Sequence, residues 1–221
     1  MTQHIQDNLW HGAIPYAIGQ AAVLQIPIPN SGGLYIGLRT NNPKRRPTST
    51  STLFFQDKTG KERLLRLDYG DNPRTRTIDF HWNHKRGYAK FGIEDHTPAG
   101  RAGEIAYKSA RYFRWGGRVF LVAGITADTV SIVRSSTPLN RASQVVSAWA
   151  LAWAGCKAGG AGGAALGSPA SPLGMAAGGI GGCIIGGLGG YVGGTVLGGQ
   201  VYDWVKGTFF IPLQRTAAPH D

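Results

Sequence analysis

The sequence predicts an α+β chain: an N-terminal antiparallel β-meander followed by a C-terminal helical hairpin of the transmembrane, glycine-zipper type. Three observations predict it. Between residues 51 and 95, short runs rich in β-branched and aromatic residues alternate with turn residues. After Thr97-Pro98-Ala99-Gly100 the apolar period becomes helical. In the last third, glycine recurs every fourth residue in two series, Gly155, Gly159, Gly163 and Gly167, then Gly174, Gly178, Gly182, Gly186, Gly190, Gly194 and Gly198. A period of four places each series on one helix stripe, where two backbones can approach closely.

The first elements are irregular. Residues 21–28 and 33–39 are short strand candidates, and Pro27 demotes the first to an edge strand or a lead-in. Residues 41–49 form a loop carrying Lys44, Arg45 and Arg46. Four stronger strands follow at about 51–57, 62–69, 77–83 and 88–95, joined by turns at 57–61, 70–74 and 84–87. For the last pair, the pattern predicts a hairpin placing Asn83 opposite Tyr88, Trp82 opposite Ala89, Phe80 opposite Phe91 and Ile78 opposite Ile93. Alternate residues then share a face, as a half-buried sheet requires.

Residues 104–115 read as an amphipathic helix that mixes aromatics with cations, suited to a membrane interface or to a helix packing Tyr107, Phe113 and Trp115 inward. Gly116-Gly117 should end it. The stretch between Arg118 and Arg134 holds one charge, Asp128, and is short for a membrane span, so it reads as a buried helix. Ser135-Ser136-Thr137-Pro138 starts a helix running to about Gly167. A turn over Ser168–Ser171 leads to a second helix from Pro172 to about Trp204.

This hairpin is a poor helix former in water. Residues 174–199 hold thirteen glycines, each costing about 0.8–1 kcal/mol relative to alanine inside a helix. Tight packing must offset that deficit, or a lipid solvent that forces backbone hydrogen bonding. Isoleucine, leucine and valine fill the remaining positions, which separates the segment from a polar flexible linker. Between Ala142 and Tyr202 the one charged side chain is Lys157. A lysine there either limits insertion or faces water, a partner or the interface. Trp149, Trp153, Tyr202 and Trp204 are candidate interfacial anchors.

Charge divides the chain. Residues 1–117 carry 17 Lys/Arg against 9 Asp/Glu, a net +8, and residues 118–221 carry 6 against 3, a net +3. The basic front half suits an anionic partner: a lipid surface, an acidic protein or, as the lesser candidate, nucleic acid. The N-terminus lacks the basic-then-apolar pattern of a secretory signal. Two cysteines exclude a disulfide-dense scaffold and a four-cysteine zinc site. Cys156 and Cys183 lie equally far from the turn, so an antiparallel hairpin puts them at one height, either bonded or as small residues filling a tight interface.

One cluster of another kind stands out. His81, His84 and His96 lie near Asp79, Glu94 and Asp95. They read as a metal site, as a general acid–base pair, or as polar sheet-face and turn residues. Their spacing fits no zinc-ligand or HNH nuclease pattern, and no metal or cofactor is expected.

The chain resembles the toxin ends of bacterial polymorphic toxins, especially Rhs-type and other type VI secretion effectors. The residues that carry this are Leu67-Asp68-Tyr69-Gly70 through Asp79-Phe80-His81-Trp82-Asn83, then Gly92-Ile93-Glu94-Asp95-His96-Thr97-Pro98, then Trp149 to Cys156 and the glycine repeats. The ending Gly198-Gly199-Gln200-Val201-Tyr202-Asp203-Trp204 is similar to the glycine-rich segment of small pore-forming bacteriocins. The resemblance implies interbacterial killing, delivery through an injection apparatus with a chaperone or delivery protein, and a cognate immunity protein. No catalytic motif carries over.

The combined expectation is a β-rich basic domain at 1–98, connecting helices at 99–141, a glycine-zipper hairpin at 142–205 and a tail at 206–221. Its function would be to insert into the target-cell inner membrane and form a pore, as a homo-oligomer or otherwise, or to depolarise it. The alternative is a nuclease or hydrolase using Asp79, His81, His84 and His96, with the hairpin serving translocation.

Overall fold

The computed structural model describes residues 2–40, 50–84, 91–168 and 171–210. Among these, helix α1 (Thr2–Val23) precedes a six-stranded sheet. The strands are β1 (Ile26–Pro27), β2 (Leu34–Gly37), β3 (Ser51–Asp57), β4 (Arg63–Asn72), β5 (Thr77–Asn83) and β6 (Thr97–Pro98). Three long helices follow: α2 (Gly100–Val133), α3 (Pro138–Gly167) and α4 (Pro172–Phe209). The strands pair antiparallel in sequence order, so the sheet is a simple meander. The chain is therefore α+β, with the sheet ahead of the long helices.

Strands β3 and β5 occupy the spans that the residue pattern marks, and β2 forms the core of the 33–39 candidate. Three expectations fail. Residues 21–28 are mostly helical or irregular, and only Ile26–Pro27 pairs. β4 continues through Gly70, Asp71 and Asn72, moving its turn to Pro73–Arg76. The strand expected at 88–95 does not form over its described part, 91–95. Residues 85–90, with the Tyr88 and Ala89 pairings, lie outside the described residues, but Phe91 and Ile93 join no strand, and Trp82 pairs with Thr97. The cause is local: Gly92 and His96 take left-handed backbone angles, and the Asp95 carboxylate accepts from the backbone N–H groups of His84 and His96. Phe91 still reaches the core and meets the Phe55 ring edge-on at 5.2 Å.

Helix α1 has no counterpart in the sequence reading. Gly12, Pro15 and Gly19 all argue against a helix on local grounds, so packing must hold it. Ala13, Ala17 and Ala21 form a fully buried stripe. Its glycines meet α2: a Cβ at Gly19 would overlap the Leu121 backbone, and one at Gly117 would overlap the Ala22 side chain. The same contact explains why Gly116-Gly117 does not end α2. Gly117 is a packing position, and the helix runs unbroken for 34 residues.

Two cores result. Ile26, Ile36, Leu53, Phe55, Leu65, Leu67 and Trp82 of the sheet region pack with Tyr107 and Ala110 of α2 and with the turn-proximal half of the α3–α4 hairpin. A smaller cluster of Ala13, Ala148, Ala152 and Tyr191, flanked by Tyr16, Trp149 and Leu188, lies in the turn-distal half.

Candidate membrane-active site

The two glycine series face each other. A Cβ added at Gly155, Gly159, Gly163 or Gly167 would collide with the backbone carbonyl of Gly186, Gly182, Gly178 or Gly174, respectively. In the same register, Gly190, Gly194 and Gly198 oppose the carbonyls of Leu151, Ser147 and Ser143. The helices thus touch backbone to backbone along seven levels of one antiparallel ridge. At the turn, the Ser171 hydroxyl caps α4 by accepting from the Gly174 N–H at 3.1 Å. Cys156 and Cys183 form a disulfide across the ridge, with Cα atoms 3.8 Å apart. A bond spanning 27 residues contributes about 3–4 kcal/mol in the chain-entropy account and persists in oxidising compartments.

A second set of glycines faces the rest of the protein. Gly160 and Gly179 sit under Ile26 and Ile36 of the sheet, and Gly187 lies near Ala17 and Gln20 of α1. The period-four stripe in the sequence does not reveal these positions, because they lie on a different face of each helix. Gly162, Gly181, Gly189 and Gly193 point into open space.

The outer faces of the helices are apolar and exposed. On α4 these include Ile185, Val192, Val196, Leu197 and Val201, and on α2 Val119, Phe120, Val122 and Val133. Both α2 and α4 are long and apolar enough to cross a membrane. This corrects the expectation for residues 118–134: the segment extends a long helix whose apolar side chains mostly face outward.

Asp128 is a buried charge on that helix. It is 1% exposed and sits where all four helices meet. Tyr191 of α4 donates its hydroxyl at 2.5 Å, and Trp149 of α3 donates its indole N–H at 2.6 Å. Arg141 of α3 brings Nη2 to 4.0 Å while its Nε donates to Ser131. Tyr16 of α1 stacks on Trp149, centroids 5.6 Å apart, and Gly12 leaves the room that the Asp128–Tyr191 pair fills. Trp149 therefore faces inward rather than serving as an interfacial anchor. Trp153 and Trp204 remain exposed, Tyr202 is half-buried, and Lys157 lies over the Trp153 ring at 4.0 Å from its centroid.

The histidine cluster is partly assembled. His81 Nδ1 lies 3.0 Å from Asp79, and the His81 and His96 rings are 5.3 Å apart. Asn72 donates to both Asp79 oxygens and to the His96 carbonyl, and Thr75 donates to Asp79. Burial raises the Asp79 pKa, but the bonds from Asn72, Thr75 and His81 outweigh it and hold the carboxyl below its usual range. With four contacts from three partners, this carboxylate braces the β4–β5 turn, and Asn72 ties that turn to the β6 approach through the His96 carbonyl. His84 donates its backbone N–H to the Asp95 carboxylate. Among the described residues, no group of three or more His, Cys, Asp or Glu is placed to hold a metal ion.

No protein-family model matches the chain, and neither does any curated protein or solved structure.

Proposed function

We propose that the long helices form a membrane-permeabilising unit and that the chain is an antibacterial effector toxin. It would be delivered through an injection apparatus, act at the target-cell inner membrane and be neutralised by an immunity protein. One observation carries this reading. The α3–α4 hairpin satisfies its own packing through backbone contact along the glycine ridge, so its outer side chains are free to face lipid. In water such an exposed apolar surface is a liability, whereas in a bilayer it is matched to the solvent. At ~1.5 Å per residue, each arm exceeds the ~30 Å hydrocarbon core. The sheet and α1 lie against Gly160, Gly179 and Gly187, and the front half would shield that side of the hairpin before insertion.

A second reading, an enzyme built on Asp79, His81 and His96, draws on their juxtaposition. Against it, Asp79 is engaged by Asn72, Thr75 and His81 in bonds that brace the turn. Both readings are tested by directing the protein to the bacterial periplasm and following a voltage-sensitive dye. Membrane potential is expected to collapse before growth stops. The variant His81→Ala, His84→Ala, His96→Ala is expected to collapse it within about twofold of the parent rate. Killing with intact potential, or a folded triple variant that no longer kills, overturns the pore reading in favour of the enzyme.

A further inference from the structure

A cleft of about 550 Å³ lies between α2 and the segment after β2, lined by Arg39, Arg111, Tyr112, Arg114, Trp115 and Arg118. Of the described residues that line it, four are cations and none is a carboxylate. Two features frame it. The Arg114 guanidinium donates to the Leu38 carbonyl at 3.4 Å, which joins the helix to the chain bearing Arg39. Tyr112 and Trp115 stand about three-quarters exposed, so their rings are not part of the core.

The position of this cleft on α2 narrows what it binds. Arg111, Trp115 and Arg118 are spaced four and three apart, along one helix face. That face continues as Val122, Ile125, Thr129 and Val133, all exposed. One stripe therefore passes from guanidinium and indole groups to a largely apolar surface, in which the Thr129 hydroxyl is turned onto the Ile125 carbonyl. From Arg118 to Val133 it extends about 22 Å at ~1.5 Å per residue, which is more than one leaflet of a ~30 Å hydrocarbon core. Arginine forks match phosphate oxygens, and tryptophan and tyrosine favour the headgroup level. A nucleic acid would account for the arginines but not for Val122, Ile125 and Val133 immediately beyond them.

We infer that this cleft is an anionic phospholipid headgroup site, which sets α2 at the bilayer surface and makes the protein selective for anionic membranes. This rests on the membrane reading above and adds the lipid class to it. The test uses the full chain with two kinds of vesicle: phosphatidylcholine alone, and phosphatidylcholine mixed with phosphatidylglycerol. The wild type is expected to bind and permeabilise the mixed vesicles at lower concentration, with an advantage that shrinks as salt rises. Arg111→Gln with Arg118→Gln is expected to cut affinity for mixed vesicles by roughly tenfold or more. Its affinity for neutral vesicles should stay unchanged. Because both side chains are exposed and the Arg114–Leu38 bond is kept, circular dichroism should show a native fold. The single variant Arg118→Gln should show an intermediate loss. Equal binding of the wild type to both vesicles overturns the headgroup site but leaves the pore reading standing, as does full selectivity in the double variant. Binding to duplex DNA that the double variant loses, without any vesicle selectivity, assigns the cleft to nucleic acid instead. Failure to bind either vesicle contradicts the membrane reading itself.

Discussion

Gly182→Val and Gly186→Val are each expected to lower dye release from liposomes by tenfold or more and to destabilise the soluble protein. A Cβ at either position falls inside the carbonyl of Gly159 or Gly155. The obstacle is backbone, so no rotamer change relieves it, and the helices must separate along the ridge. Overpacking of this kind costs about 1–3 kcal/mol and sometimes more, and valine's two methyls add to it. The neighbouring Cys156–Cys183 bond resists the same separation. The outward glycines supply the control. Gly181 and Gly189 have nothing within 4 Å of an added Cβ, so Gly181→Ala and Gly189→Ala should be neutral or raise helix stability by up to about 1 kcal/mol. Thermal unfolding and dye release measured on all four variants decide the matter. If the valine and alanine variants behave alike, the ridge is not a packing surface.

Asp128→Ala is expected to be the most damaging single change away from the ridge. It strands the Tyr191 hydroxyl and the Trp149 indole N–H, each at about 1–3 kcal/mol for an unpaired buried donor, and removes the acid nearest Arg141. Because Asp128 sits on α2 and its partners on α3 and α4, the loss falls on the docking of one helix pair against the other. Asp128→Asn keeps the shape and one acceptor oxygen, so it should lie between the parent and the alanine variant. Thermal melts in buffer give the ranking. A melting temperature unchanged by Asp128→Ala would show that the cluster contributes nothing to docking.

How much of this was legible depends on how far apart the determinants lie. β3 and β5 were readable because alternation and turn residues act within a few positions. The ridge was readable because glycine at a period of four leaves a stripe on each helix, and the antiparallel turn brings the stripes together. Helix α1 was not, because Gly12, Pro15 and Gly19 suppress every local helix signal, and its buried alanines gain their meaning from α2 and α4. The same reason hid the role of Gly117, which reads as a breaker and acts as a contact. Asp128 was visible as the one charge between Arg118 and Arg134, but its partners Trp149 and Tyr191 lie 21 and 63 residues away. The paired faces of β5 misled over residues 91–95, where the left-handed Gly92 and His96 and the Asp95 carboxylate turn the chain away from a ladder.

The central claim is that this chain breaches lipid bilayers by itself. Purified protein added to liposomes loaded with a self-quenched dye tests it most directly, with co-sedimentation to establish binding. The account predicts dose-dependent release at concentrations where the protein is bound, and loss of that release in Gly182→Val. Vesicles that bind the protein yet retain their dye at every dose would contradict it.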